Sequence, residues 1–439
     1  GGGLLSAIRV SGCIPLKGEI SIQGSKNAAL PMMAAALLHK GLTVLTNVPR
    51  IQDTACMMKI LEALGCSCIR RGCSVFIDAG EIKKTQVPQE YVRSMRSSII
   101  LLGALLGRMG QGNCCYPGGC LIGARPIDLH LMALNKMGAV IREEDGIIEA
   151  CAGKDGRLKG TEIVFSYPSV GATEQALLAA VLAEGVTIIR GAAMEPEISQ
   201  LCGFLNNMGA VICGAGTKNL MIQGVRSLRD SAFRVEGDRI VAGTYGAAVM
   251  AAGGDVILKG VRPSALKLPL ALFSRSGGKV TVSESSGRLQ ATGIGCEKEG
   301  RIRISSKGPA GPLALKTGPY PEFPTDLQSP FMAFLAAGRG VSRIEERVFE
   351  GRFGIAGELE KMGALIRLEG KTAVIYGAGS LKGSAVKAAD LRGGAALAVA
   401  ALAAKGETVI EDCRHIERGY EDICRDLSAL GARIQWIGE

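Results

Sequence analysis

The sequence predicts an α/β protein of two domains, each built from three copies of one β-α-β-α-β-β unit. The chain has 439 residues, more than one hydrophobic core usually serves. Apolar residues make up 47% of it, which excludes wholesale disorder. Six segments end in a similar glycine-containing stop: ALGC (63–66), KMGA (136–139), NMGA (207–210), RSGG (275–278), KMGA (361–364) and ALGA (429–432).

The first copy shows the order of elements within a unit. NAALPMMAAALLHKG is rich in good helix formers, and the β-branched LTVLTNV that follows predicts a strand. IQDTACMMKILEALG then predicts a second helix with Asp53 or Thr54 at its N-cap. CSCIRR and SVFIDAG complete the copy as a pair of strands. The copies are roughly 70 residues apart, longer than the ~20–50 residues of usual solenoid repeats, so three units per domain fit better than a six-unit solenoid.

Charge and cysteine content exclude several classes of protein. The net charge is +10, but lysines and arginines are spread along the chain without an aromatic-rich basic run, which disfavours nucleic-acid binding. The fourteen cysteines are irregularly spaced, with only three histidines, so neither a zinc site nor a disulfide framework is indicated. We expect most of these cysteines to be buried thiols in a reducing compartment, and we expect neither a metal nor a cofactor.

The chain carries no recognisable targeting or membrane segment. GGGLLSAIRV lacks the charged and apolar regions of a signal peptide. The longest apolar runs, such as SIILLGALLG, are shorter than the ~20 residues that a membrane span needs. We therefore expect a cytoplasmic protein that does not enter the membrane, and we expect it to be a monomer.

The copies differ most where a helix begins. Basic residues there are unusual, because the helix dipole disfavours them unless an anion compensates, whereas an aspartate is most often only an N-cap. The second helix of a copy is preceded by PGGCLIGARPID, MEPEIS, FEGRFG or HIERGYED, which contain Cys120, Glu195, Glu197, Arg352 and Arg418. The first helix begins near Lys26 and Asn27 in GSKNAAL, Asp326 in FPTDLQS, and Asp390 and Arg392 in ADLRGGA.

These motifs, in this order, resemble the UDP-N-acetylglucosamine 1-carboxyvinyltransferase family from Ile8 to Trp436. The resemblance implies two inside-out α/β prism domains with a substrate cleft between them. It places one domain, bearing a cysteine lid loop, at 24–236 and the other at 1–23 plus 237–439. We interpret the glycines of PGGCLIGARPID as hinges that let Cys120 close over the cleft.

The family implies an enzyme of peptidoglycan synthesis that moves the enolpyruvyl group of phosphoenolpyruvate onto the 3′-hydroxyl of UDP-N-acetylglucosamine and releases phosphate. By resemblance, Asp326 is the base, and Cys120 is the general acid and the thiol that fosfomycin alkylates. Lys26, Arg125 and Arg418 match phosphate ligands, whereas Arg352, Arg392 and Arg96 match cations around the carboxylate. Arginine suits this task because its planar fork binds carboxylate and phosphate in a bidentate way.

The resemblance also implies contacts with the nucleotide sugar. The matching positions are Asn27, Arg96, Arg125, Pro126, Ile127, Asp128, Leu129, Ser169, Val170, Gly171, Asp326 and Phe349. Asn27 matches a residue that positions both the substrate and the intermediate. The chain departs from the family at Tyr167, where a basic residue is common, and at Tyr320, where a histidine is often found. Arg239 in EGDRI is a further candidate on the nucleotide side.

Three alternatives remain at the level of sequence. The sister enolpyruvyl transferase of the shikimate pathway shares the fold and the donor, but lacks the cysteine lid and begins its first helix differently. A regulatory paralogue would bind the UDP-sugar without catalysis, which the presence of Lys26, Cys120, Asp326 and Arg418 disfavours. A nucleic-acid binder would show steep salt dependence of duplex binding.

Overall fold

The computed structural model describes residues 7–116, 126–153, 155–284 and 300–438. The α-helices of these residues are α1 (Lys26–Ala35), α2 (Gln52–Leu64), α3 (Gln89–Ser94), α4 (Leu101–Met109), α5 (Asp128–Lys136), α6 (Val170–Ala180), α7 (Pro196–Asn207), α8 (Arg239–Ala252), α9 (Lys267–Arg275), α10 (Gln328–Ala337), α11 (Ala356–Lys361), α12 (Leu391–Ala403) and α13 (Ile423–Ala429). Short 3-10 helices span Ala36–Leu38, Arg96–Ile100, Pro263–Leu266, Thr325–Leu327, Arg352–Ile355 and Cys413–Arg418.

Short strands make up the rest of the regular structure. The strands of the described residues are β1 (Ala7–Ser11), β2 (Leu16–Ser21), β3 (Leu42–Thr46), β4 (Ser67–Arg71), β5 (Ser74–Asp78), β6 (Gln111–Cys115), β7 (Val140–Glu144), β8 (Ile147–Cys151), β9 (Glu162–Val164), β10 (Val186–Arg190), β11 (Val211–Cys213), β12 (Asn219–Gln223), β13 (Ser231–Arg234), β14 (Gly254–Val261), β15 (Lys279–Glu284), β16 (Gly300–Ser306), β17 (Ala314–Lys316), β18 (Arg339–Glu345), β19 (Leu365–Glu369), β20 (Thr372–Ala378), β21 (Leu381–Lys382), β22 (Ala385–Lys387), β23 (Ala404–Lys405), β24 (Glu407–Glu411) and β25 (Arg433–Ile437).

Six sheets repeat one strand order, which confirms the predicted unit. In five of them, a parallel edge strand pairs with a second strand, which pairs antiparallel with a third, and the fourth strand is antiparallel to the third. The sheets are β13-β3-β5-β4, β6-β8-β7, β9-β10-β12-β11, β2-β14-β16-β15, β17-β18-β20-β19 and β22-β24-β1-β25. In the three-stranded sheet, a parallel bridge between Gln86 and Asn113 stands where the others have an edge strand.

The six predicted stops are left-handed turns after a helix. Each stop contains a glycine with positive φ, a region that a side chain makes costly. The φ values are 117° at Gly65, 89° at Gly138, 101° at Gly209, 99° at Gly277, 88° at Gly363 and 91° at Gly431. The stop motif therefore marks the end of the second helix in every copy.

The first helices of the copies lie in the interior, and the sheets lie outside them. Helices α8, α10 and α12 pack against one another, and nearly all their residues are buried. Helix α4 packs in the same way against α6 and α1. The strands alternate buried and exposed residues, as in β10 and β24. This arrangement confirms the inside-out α/β fold.

The buried apolar side chains form two separate clusters. One runs from Ala28 to Val235, and the other combines 8–22 with 240–434. The N-terminal strand β1 accordingly pairs with β24 and β25 near the C-terminus. We propose that the chain divides into a domain at 24–236 and a second domain at 1–23 plus 237–439.

The described cysteines are free thiols, and half of them are buried rather than most. Cys66, Cys114, Cys115, Cys202, Cys413 and Cys424 are buried, whereas Cys13, Cys73, Cys151 and Cys213 are exposed. Burial, with a smaller contribution from Cys115, raises the pKa of Cys114 to about 12, so this thiol stays protonated and unreactive. None of the described helices is long and apolar enough to cross a membrane.

Candidate active site

Side chains at the starts of the interior helices converge on one polar cluster. Ser25 caps α1, Asp238 caps α8 and Asp390 caps α12, each accepting from backbone N–H groups of the first turn. Asp238 also accepts from the backbone N–H of Lys26 at 3.0 Å, which joins the starts of α1 and α8. The caps therefore fix the backbone from which the charged side chains project.

A close helix contact places the turn that carries Asp326. A β-carbon on Gly243 of α8 would lie 2.5 Å from Cδ1 of Leu327, the residue after Asp326. Glycine at 243 therefore lets the turn at Thr325–Leu327 pack directly on α8.

Lys26 and Arg418 share one carboxylate, that of Asp53. The Lys26 Nζ lies 2.7 Å from Asp53 Oδ2. Arg418 donates from Nε to Oδ1 at 3.0 Å and from Nη2 to Oδ2 at 3.3 Å, although it is far away in the sequence. Two of the predicted phosphate ligands thus lie side by side, and they come from opposite ends of the chain.

Asp53 does not have the capping role that its sequence position predicts. Helix α2 begins at Gln52 after Ile51, so Asp53 and Thr54 lie inside the first turn, and the N-cap prediction is wrong. The Thr54 hydroxyl bonds back to Pro49 and Ile51, while Asp53 turns towards the two cations. Sequence reasoning missed Asp53 because a cap was a sufficient explanation for an acid at that place.

Asp326 is held by two buried arginines. Arg352 donates from Nη2 to Oδ1 at 2.6 Å, and Arg392 donates from Nη2 to Oδ2 at 3.2 Å. The Arg392 guanidinium also donates to the Tyr420 hydroxyl at 3.4 Å, and Tyr420 is another residue that sequence reasoning missed. The three charged residues, two from the fifth copy and one from the sixth, thus form one site.

Arg352 keeps hydrogen-bonding capacity beyond its pairing with Asp326. Its Nε and Nη1 are buried and have no hydrogen-bond partner among the described residues. Its guanidinium lies 5.2 Å from the centre of the Phe349 ring. Because a buried unpaired N–H is costly, these two donors indicate a place for an anionic acceptor.

The electrostatics of the cluster follow from burial and from the density of cations. Burial lowers the pKa of Lys26, Asp53 raises it, and Arg392 and Arg418 lower it further. Burial alone would raise the pKa of Asp326, but Arg392, Arg352 and Lys26 outweigh it and hold that pKa far below its usual range. Asp326 is therefore ionised in this arrangement.

The nucleotide-sugar candidates form a second group around His130. Ser169 caps α6, and a β-carbon on Gly171 would lie 2.9 Å from His130 Cε1. His130 lies in α5, whose entry and first residues are Pro126, Ile127, Asp128 and Leu129, and its Nδ1 is 2.9 Å from Gln175 Oε1. Burial lowers the pKa of His130, the hydrogen bond with Gln175 raises it in part, and the Arg96 charge lowers it again. Asn27 follows Lys26 and is half-buried.

Other predicted residues fall outside these groups. Cys120 and Arg125 lie outside the described residues, as does the lid proposed for them. Tyr167 is exposed, and the Tyr320 backbone donates to Glu195 Oε1 at 3.1 Å. Arg239 is bound to Glu197 rather than free for a nucleotide. No group of three or more potential metal ligands occurs in the part of the chain that the structure describes.

Changing Glu174 to glutamine should raise the melting temperature at pH 8. Burial, with Glu197 and Glu195 nearby, raises the pKa of Glu174 well above its usual value. The unfolded chain releases this proton near pH ~4.3 while the folded chain retains it, so the carboxyl costs stability above that pH and nothing below it. We expect a gain of about 2–4 °C, the effect of ~1 kcal/mol in a large domain. Calorimetry at pH 8 and pH 4 measures it.

The matched control is the change of the exposed Glu184 to glutamine, which should leave the melting temperature unchanged at both values of pH. A lower melting temperature for the Glu174 variant at pH 8 would show that the ionised carboxylate stabilises the fold.

Comparison with known proteins gives the class of the molecule. Residues 10–427 match the family model described as EPSP synthase (3-phosphoshikimate 1-carboxyvinyltransferase). The enolpyruvyl transferase NikO from Streptomyces tendae superposes with a TM-score of 0.83 at 25% identity, covering 100% of both chains. EPSP synthase from Acinetobacter baumannii gives 0.75 at 18% identity, covering 99% of this chain and 100% of that one, which shows the fold alone.

Curated relatives narrow the class. A UDP-N-acetylglucosamine 1-carboxyvinyltransferase 2 of Carboxydothermus hydrogenoformans is 46% identical over 97% of each chain. The enzyme named UDP-N-acetylglucosamine 1-carboxyvinyltransferase in Trichlorobacter lovleyi is 42% identical over 98% of this chain and 99% of its own. The chain belongs to the UDP-N-acetylglucosamine 1-carboxyvinyltransferase family, which confirms the resemblance of its motifs.

Proposed function

We propose that the protein transfers the enolpyruvyl group of phosphoenolpyruvate to the 3′-hydroxyl of UDP-N-acetylglucosamine and releases phosphate, an early step of peptidoglycan synthesis. The observation that carries this proposal is the pairing of Asp326 with Arg352 and Arg392, with two Arg352 donors left for an anion. The names of the relatives support the acceptor sugar. We propose that the reaction takes place in the cytoplasm and that the protein is a monomer.

The reaction proceeds by addition and then elimination. Asp326 takes the proton of the sugar hydroxyl, whose oxygen bonds to C2 of phosphoenolpyruvate, while an acid protonates the methylene at C3. In the tetrahedral ketal that results, loss of a proton from the new methyl group expels phosphate and restores the double bond. Cys120 is the proposed acid and fosfomycin target, on the basis of its motif.

The cations divide between the two anionic groups of phosphoenolpyruvate. Lys26 and Arg418, next to each other on Asp53, are the proposed phosphate ligands together with Arg125. Arg352 and Arg392 are the proposed carboxylate ligands, with Arg96 near the cleft. Such preset charges stabilise negative charge that develops during the reaction.

The nucleotide sugar is assigned to the group around His130. Pro126, Ile127, Asp128, Leu129, Ser169, Val170 and Gly171 are its proposed contacts, with Asn27, Arg96, Arg125, Asp326 and Phe349. The approach of Gly171 to His130 supports a common surface formed by the starts of α5 and α6.

Phosphate release from phosphoenolpyruvate tests the proposed function. The purified protein should release phosphate with UDP-N-acetylglucosamine as acceptor and release none with shikimate 3-phosphate. Release with shikimate 3-phosphate alone would assign the protein to the sister reaction. Binding of the UDP-sugar without any phosphate release would indicate a regulatory paralogue.

A further inference from the structure

Glu197 and Arg239 form a second carboxylate–arginine pair, in addition to that of Asp53 and Arg418. Arg239 donates from Nε to Glu197 Oε1 at 2.8 Å and from Nη2 to Oε2 at 3.2 Å. The Glu197 and Arg239 side chains are 4% and 9% exposed. A bidentate pair this well buried has fixed geometry, and separating its partners would leave a buried charge without compensation.

The two pairs are counterparts in different copies. Asp53 is the second residue of α2, and Glu197 is the second residue of α7. Both helices belong to the cluster at 28–235, whereas their arginine partners belong to the other part of the chain. Asp53 also binds Lys26 near the proposed phosphate site, while both carboxylate oxygens of Glu197 accept hydrogen bonds from Arg239.

The Arg239 guanidinium lies against the segment that leads to Asp326. It is 5.9 Å from the centre of the Tyr320 ring. The Tyr320 backbone N–H donates to Oε1 of Glu195, at the start of the same helix as Glu197. Glu195, Glu197 and Arg239 together hold the chain at residue 320, a short distance before Asp326.

Arg239 is within electrostatic range of Asp326. After burial, which lowers it, the pKa of Arg239 is raised by Glu197, Glu195 and Asp326, in that order. Asp326 already faces Arg392, Arg352 and Lys26. Another guanidinium donating to Asp326 would make the carboxylate a weaker acceptor of a proton.

We propose that Glu197 is a positioning residue for enolpyruvyl transfer, since its ion pair with Arg239 holds that guanidinium on the Tyr320 ring and away from Asp326. The inference rests on the proposed function of Asp326 as the base. It gives Arg239 a role in setting the environment of the base rather than in binding the nucleotide.

The test is steady-state kinetics of the Glu197→Gln variant with phosphoenolpyruvate and UDP-N-acetylglucosamine. We expect kcat to fall about tenfold, part of the ~10²–10⁴-fold that a general base contributes. Both KM values should stay within about twofold, because substrate ligands are unchanged. In the double variant Glu197→Gln/Arg239→Met, the displaced charge is gone, and kcat should return to within about threefold of wild type.

Glu322→Gln is the matched control, because it removes an exposed carboxylate from the same segment and should leave kcat unchanged. A Glu197→Gln variant with wild-type kcat overturns the proposal, and so does a loss of kcat that the double variant fails to rescue. If the wild-type protein itself releases no phosphate, the proposed function fails and this inference fails with it. If the wild-type protein has a normal rate and either of the first two results is found, the inference about Glu197 is refuted and the proposed function is not.

Discussion

Replacing Asp326 by asparagine is expected to lower kcat by about 10³-fold or more, since a general base contributes ~10²–10⁴-fold. Asparagine keeps the shape of the side chain and still accepts a hydrogen bond through its amide oxygen, but it cannot take the hydroxyl proton. KM for each substrate should change by less than about threefold, because the variant keeps the contacts that bind substrate and transition state equally well. Phosphate release at saturating substrates measures kcat.

The environment of Asp326 explains how one carboxylate is both ionised and useful as a base. In the observed arrangement, Arg392 and Arg352 hold its pKa far below the usual range, so it is a poor proton acceptor. A substrate carboxylate that pairs with the free donors of Arg352 would draw charge away from Asp326. We therefore expect Asp326 to become more basic when phosphoenolpyruvate binds.

Asp390→Asn is the matched control for this prediction. Asp390 stands at the start of the neighbouring interior helix, where its Oδ1 accepts from the backbone N–H groups of Arg392 and Gly393, both at 2.9 Å. Asparagine also caps helices well, so kcat should stay within about threefold of wild type. Equal losses for both variants would mean that charge at the helix starts, rather than proton transfer, limits the rate.

The sequence predicted the repeat well because the repeat is local. Each stop glycine adopts positive φ within its own turn, and each strand alternates within its own residues, so both signals stand in short stretches of sequence. The completion of sheets by strands from distant parts of the sequence was not predictable in this way. Strand β13 supplies the edge of the first sheet beside β3, and the N-terminal β1 enters the last sheet between β24 and β25. Such pairings join segments that are distant in sequence.

The same limit applies to the site. Lys26, Asp326, Arg352, Arg392 and Arg418 were found because basic residues at helix starts are unusual and because their motifs match a family. The ion pairs of Asp53 and Glu197 were not predicted. Asp53 and Glu197 are acids in the first turn of a helix, where the dipole already favours them, and their arginines come from the other part of the chain.

Changing Asp53 to asparagine is expected to lower kcat/KM for phosphoenolpyruvate by about 100-fold at pH 8, a cost of ~3 kcal/mol that is usual for breaking a buried ion pair. Burial lowers the pKa of Lys26, and Asp53 is the partner that raises it. Without Asp53, the pKa of Lys26 should fall further, which shifts Lys26 towards its neutral form, and a neutral amine binds phosphate weakly. The loss should shrink towards pH 6, because Lys26 regains its proton as the pH falls below its lowered pKa. The pH dependence of kcat/KM measures this effect.

Asp230→Asn is the control, since this exposed aspartate pairs with His39 rather than with Lys26 or Arg418 and should leave kcat/KM unchanged at each pH. A rise in kcat/KM for the Asp53 variant would contradict the expected loss. It would show that Asp53 competes with phosphate for Lys26 and Arg418, so that each turnover must first separate these ion pairs.

A loss of equal size at pH 6 and pH 8 would contradict the role of Asp53 in keeping Lys26 protonated, because protonation of Lys26 is the step that depends on pH.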